Sequence, residues 1–94
     1  MSTTSISGHE LAVSKLDELA TDLGGRGYAT TLVTGGGHPA LTVVHRRFPR
    51  ITETIYAAPA DGSWWLWWSW AERIGPVGET GRAADKIAHV LTPS

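Results

Sequence analysis

Trp64-Trp65-Leu66-Trp67-Trp68-Ser69-Trp70 holds all five tryptophans of this 94-residue chain. Each can bury roughly 150–250 Å² of surface, so the core must form around this segment. The run contains no glycine, proline or charge, and aromatic residues favour strands. As a strand it places Trp64, Leu66, Trp68 and Trp70 on one face and Trp65, Trp67 and Ser69 on the other. The first set is expected to fill the core. Trp65 and Trp67 are then expected to form an exposed patch on the order of several hundred Å², the size at which patches mark interfaces.

Working back from that strand, Pro59-Ala60-Asp61-Gly62-Ser63 is turn chemistry: proline fixes φ, and Asp-Gly accepts a positive φ. Residues 51–58 read as a strand before it, and Arg47-Phe48-Pro49-Arg50 interrupts the pattern. Residues 28–34 and 40–46 are rich in β-branched residues. They flank Gly35-Gly36-Gly37-His38-Pro39 and read as a hairpin. From Gly8 onward, Val13, Leu16, Leu19, Ala20 and Leu23 follow a helical period, with Lys15, Asp17, Glu18 and Asp22 opposite. Ser7 and Glu10 form a candidate capping box, and Gly24-Gly25 ends the helix. Residues 1–7 read as a disordered tail.

On the other side, residues 71–74 continue the tryptophan strand or bend away, and Gly75-Pro76-Val77-Gly78 reads as a loop. Thr80 or Gly81 opens a last helix with Ala84, Ile87, Ala88 and Leu91 on its apolar side. The expectation is one α+β domain over residues 8–92 with element order α-β-β-β-β-α. A four-stranded antiparallel meander is packed by N- and C-terminal helices. In the order 1-2-3-4 the tryptophan strand lies at an edge, where unpaired backbone groups invite a partner strand.

Composition narrows the function. The chain is 41% hydrophobic and 18% charged, with a net charge of −1. That balance fits a globular domain and gives no broad phosphate-attracting surface. Nucleic acid is therefore not an expected partner. There is no cysteine, which removes disulfides and thiolate chemistry. The first residues lack a basic segment followed by an apolar one, and no apolar run is long enough to span a membrane, so the expected compartment is the cytoplasm. His9, His38, His45 and His89 share no metal-ligand spacing. The glycine run lacks the Lys-Ser/Thr pair of a phosphate loop. Glu53 and Glu72 fall on different elements and make no evident acid–base pair. The reading is that of a non-enzyme with no catalytic residue, cofactor or metal.

The segment Trp64-Trp-Leu-Trp-Trp-Ser-Trp-Ala-Glu-Arg-Ile74, with Gly75-Pro76 after it and Ile87-Ala-His-Val-Leu91 near the end, resembles a group of small actinobacterial proteins. His38-Pro39-Ala-Leu-Thr-Val44 resembles their preceding strand. The likeness covers roughly residues 10–91 and implies an actinobacterial cytoplasmic protein without bringing an activity. The helix-then-meander order is also similar in architecture to secretion-chaperone-like folds, which bind protein segments and dimerise.

Together these features point to an accessory or chaperone-like protein-binding domain that self-associates through the tryptophan strand or binds another protein. The alternative is a small-molecule binder with an aromatic-lined cleft. In either case the candidate binding residues are Trp65, Trp67, Tyr56, His45, Arg46 and Arg73. Arg46 lies in a basic cluster with Arg47 and Arg50 that suits an acidic surface.

Overall fold

The computed structural model describes residues 8–35 and 37–93. The expected tail and the Ser7 cap lie outside the described residues. The elements are α1 (Gly8–Gly25), β1 (Tyr28–Val33), β2 (Ala40–His45), β3 (Thr52–Ala60), β4 (Ser63–Trp68), β5 (Arg73–Pro76) and α2 (Thr80–Val90). The strands form one antiparallel meander in the order β1-β2-β3-β4-β5. The fold is α+β, as expected, but with five strands in place of four.

The added strand is the main correction. The chain turns back after Trp68: Ala71 N–H donates to the Trp68 carbonyl at 2.9 Å, and Trp68 N–H donates to the Glu72 carbonyl at 2.8 Å. Ala71 carries the turn in a left-handed conformation with φ 66°. Arg73-Ile74, expected to extend the tryptophan strand or bend away, and Gly75-Pro76, expected as a loop, therefore pair with β4, in a register that shifts at Leu66/Trp67. A four-residue strand containing Gly75 and Pro76 has too little β-propensity to be read locally; β4 imposes it. The tryptophan strand is thus not an edge: β3 takes one side and β5 the other.

The β3–β4 hairpin agrees with its turn chemistry. Asp61 and Gly62 have φ of 52° and 79°. A two-residue type I′ turn requires positive values at both positions. Strand β3 runs on through Pro59, which faces Trp64.

Both helices cover one sheet face. The core joins Ala12, Leu16, Leu19 and Leu23 of α1 to Leu41, Val43, Ile55, Ala57, Leu66, Trp68 and Ile74 of the sheet, and to Ala83, Ala84 and Ile87 of α2. The period read in the sequence is the packed one, except that Ala12 is fully buried while Val13 sits at the rim. Tyr28 Oη donates to the Ala88 carbonyl and links β1 to α2. Arg26 bridges Asp22 of α1 to Asp85 of α2. Its hydrogen bond to Asp22, then that to Asp85, raises its already high pKa.

The tryptophans divide differently from the expectation at two places. Trp68 is buried and Trp64 packs at the core margin, but Trp70 lies in the turn and is 52% exposed. It stacks on Trp68 with centroids 4.9 Å apart and donates Nε1–H to Glu72. The reversal after Trp68 ends the alternation that would have turned Trp70 inward. Trp64 lies against Gly8: a Cβ there would come no farther than 3.0 Å from three indole atoms, two of them closer.

Two substitutions test this packing. Trp68→Ala should destabilise the protein by about 3–5 kcal/mol, the range for a truncated buried aromatic, read as a lower urea midpoint. Gly8→Ala should lower the melting temperature although alanine is the better helix former. An unchanged or raised value would mean Trp64 does not pack on the start of α1.

Candidate functional site: the helix-free face of the sheet

Strand alternation leaves one side of the sheet without a described helix. A single row crosses all five strands there: Val33, Ala40, Tyr56, Trp67 and Arg73 face one another in turn. Beside it Ala58 faces Trp65 and Trp65 faces Pro76. On the other flank Thr31, Thr42 and Thr54 form a threonine row. The face is therefore aromatic and cationic at the β3–β5 end and hydroxylated at the β1–β3 end.

The aromatic end is rigid for identifiable reasons. Trp65 Nε1–H donates to the Ala60 carbonyl at 2.9 Å, and Trp67 Nε1–H donates to the Ala58 carbonyl at 3.1 Å. Both indoles are thus held toward β3, and Ala58 is only 8% exposed in their company. Tyr56 stacks on Trp67, nearly parallel at 7° with centroids 6.2 Å apart. The Arg73 guanidinium lies 4.4 Å from the Trp65 ring centre and 5.2 Å from that of Trp67. It also forms an ion pair with Asp61. The result is a stacked series Tyr56–Trp67–Arg73–Trp65, anchored at the hairpin turn. Both tryptophans are half-buried by these neighbours, so less ring surface is open than the sequence led us to expect.

Four of the six candidate residues come together here: Trp65, Trp67, Tyr56 and Arg73. His45 does not. It lies on the helix-covered face with Leu41 and Val43, edge-on to Tyr28 at 5.2 Å. Its Nδ1 accepts the N–H groups of Arg47 and Phe48 at 3.2 and 3.1 Å, which shapes the β2–β3 bend. Arg46 is exposed in that same bend, away from the aromatic series, with its N–H on the Gly27 carbonyl.

Asp61 is the member sequence reading did not select. It looked like a turn residue, and only β5 folding back beside β4 brings Arg73 to it. Two shallow depressions are also present. One of about 380 Å³ is lined by Phe48, Ile51 and Pro93 with Arg47, Pro49 and Arg50, and one of about 370 Å³, which Arg73 of the series also borders, by Trp68, Glu72, Asp85, Lys86, His89 and Val90. Glu53 accepts from Ser69 Oγ and the Thr54 N–H, a structural arrangement. Among the described residues no three of His, Asp and Glu gather in a metal-binding group.

Removing the cation tests the stack. Exposed cation–π contacts contribute about 0.5–1 kcal/mol each and exposed ion pairs less. Arg73→Ala should therefore cost about 1–2 kcal/mol, and should make tryptophan emission redder and more accessible to acrylamide. Emission and quenching identical to wild type would show that Arg73 does not cover the rings.

No protein-family model, no curated protein and no solved structure matches this chain, so its chemistry is carried by its own residues.

Proposed function

We propose that this chain is a non-enzymatic protein-interaction domain of the accessory or chaperone-like kind, and that a partner chain docks on the helix-free face. The observation that supports this is the Tyr56–Trp67–Arg73–Trp65 series on a sheet face that no described helix covers. Tyrosine, tryptophan and arginine are the residues that dominate binding energy at protein interfaces. Here they are held in place before any partner arrives, which lowers the ordering cost of association. The threonine row beside them supplies hydroxyls for a polar rim.

The partner is another protein or a second copy of the chain. Pairing of copies along the edge of the tryptophan strand is closed, because β3 and β5 occupy both sides of β4. A second copy docking at the tryptophans must therefore meet them face to face.

Immobilised wild-type protein, Trp65→Glu and Trp67→Glu, each checked for native circular dichroism, should be compared for the chains they retain from the producing cells. Both variants should lose at least tenfold of a partner that wild type holds. A partner retained equally by all three proteins would sink this reading.

A further inference from the structure

The two edges of the sheet are built differently. Hydrogen bonds fix which backbone groups of β5 point outward. Val77 N–H donates to the Trp64 carbonyl, and Leu66 faces Gly75. Ile74 and Pro76 therefore aim their backbone groups toward solvent. Three of their four pairing positions are closed. Pro76 has no N–H, and its carbonyl accepts from Glu79 N–H at 3.0 Å. The Ile74 carbonyl accepts from Lys86 Nζ at 2.8 Å. A short strand, a proline, a bulge and a lysine are the devices by which proteins protect an edge.

Strand β1 has none of them. Tyr28-Ala29-Thr30-Thr31-Leu32-Val33 contains no charge and no proline. Arg46 N–H donates to the Gly27 carbonyl, which sets the phase of the β1–β2 ladder, while Gly27 N–H turns back to the Gly24 carbonyl. Alternation then turns Ala29, Thr31 and Val33 toward β2 and aims the N–H and C=O groups of Tyr28, Thr30 and Leu32 outward. Among the described residues nothing bonds the outward groups of Thr30 or Leu32.

We infer that β1 is the dimerisation edge, where it pairs antiparallel with β1 of a second copy about a two-fold axis at Thr30. The inference uses residues apart from the aromatic series and stands whatever docks on that face. The occupant is a second copy because the outward groups are self-complementary. With Thr30 opposite its own mate, Tyr28 faces Leu32 of the partner subunit and Leu32 faces Tyr28 of the partner subunit. Each of the three pairs then exchanges two hydrogen bonds, the pattern of bonded antiparallel pairs. A shift of one residue would set outward groups against inward ones and lose the ladder. The same register keeps each side chain on its own face: Tyr28, Thr30 and Leu32 stay under the helices, and Ala29 and Thr31 stay on the open face. An isologous contact also closes, so the exposed edge ends in a dimer and not in a fibre.

Helix α1 fits this arrangement. Asp22 turns toward α2 through Arg26 and Asp85. At 3.6 residues per turn the opposite flank carries Val13, Ala20 and Gly24, half-buried and uncharged, beside the exposed His9 and Asp17. Those small side chains let the two α1 helices approach above the joined β1 strands. The product is a continuous ten-stranded sheet with both helical layers on one side.

Solution mass and a register-specific crosslink test the inference. Wild type at tens of micromolar should sediment at twice the 10.1 kDa chain mass. Thr30→Pro removes an outward N–H at the axis, where a sheet edge tolerates proline, and should give a folded monomer. Bonded antiparallel pairs have Cα atoms about 5.5 Å apart, within disulfide range. Since the chain lacks cysteine, Thr30→Cys treated with oxidised glutathione should become a covalent dimer as glutathione is reduced. Ala29→Cys, offset from its own mate by two residues, should not. A wild-type monomer overturns the inference. So does a dimer in which Thr30→Cys crosslinks no better than Ala29→Cys, and that comparison decides the matter if Thr30→Pro fails to fold.

Discussion

The antiparallel pairing of β3 with β4 is the constraint on which the rest depends. Ile55 faces Trp68, Ala57 faces Leu66 and Ala58 faces Trp65. This register assigns every tryptophan of the strand to a side. Small alanines stand opposite large side chains, so the rings have somewhere to lie. On one side Leu66 and Trp68 enter the core beneath α1 and α2. On the other the two indoles lean toward β3 and donate to its carbonyls. A register slip of one residue would exchange these sets and bring Trp65 and Trp67 against the helices. The Asp61-Gly62 turn prevents that slip, because a two-residue loop leaves no slack.

Strand β5 has consequences out of proportion to its length. It closes the outer side of the tryptophan strand and removes an uncharged, aromatic edge from solvent. It carries Arg73 onto the indoles from above. It also brings Ile74 into the core and offers the Ile74 carbonyl to Lys86. With that edge sealed, the undefended edge of the sheet is at the opposite end, on β1. The face proposed for partner binding and the edge proposed for self-association are then separate surfaces.

The candidate site was legible where its residues share a strand or an adjacent one. Trp65 and Trp67 follow from alternation, and Tyr56 sits on the neighbouring strand at the same parity. Arg73 was chosen only for being near the tryptophans, and the return of the chain gave it its place over them. His45 lies apart from the series because alternation puts it with Leu41 and Val43, on the covered face. Arg46 lies apart as well because it follows the end of its strand, where parity no longer directs a side chain. Trp70 is outside the core for a like reason: the expectation extended the alternation past Trp68, where the backbone reverses.

The sequence by itself determined what local physics decides. Apolar period placed α1 and α2, β-branched and aromatic runs placed four strands, and Asp61-Gly62 placed the tight hairpin. Gly24-Gly25 marked the end of α1. Only the tertiary structure decided β5, because Arg-Ile-Gly-Pro has no strand signal and becomes one through the hydrogen bonds β4 offers it. Only the tertiary structure joined Asp61 to Arg73 and Gly8 to Trp64, since each pair is distant in sequence and meets through the packing of whole elements. The same holds for the edges. A strand's exposure belongs to its neighbours and not to its own residues, which is why the tryptophan strand proved to be internal and β1 proved to be terminal, with no described strand on its outer side.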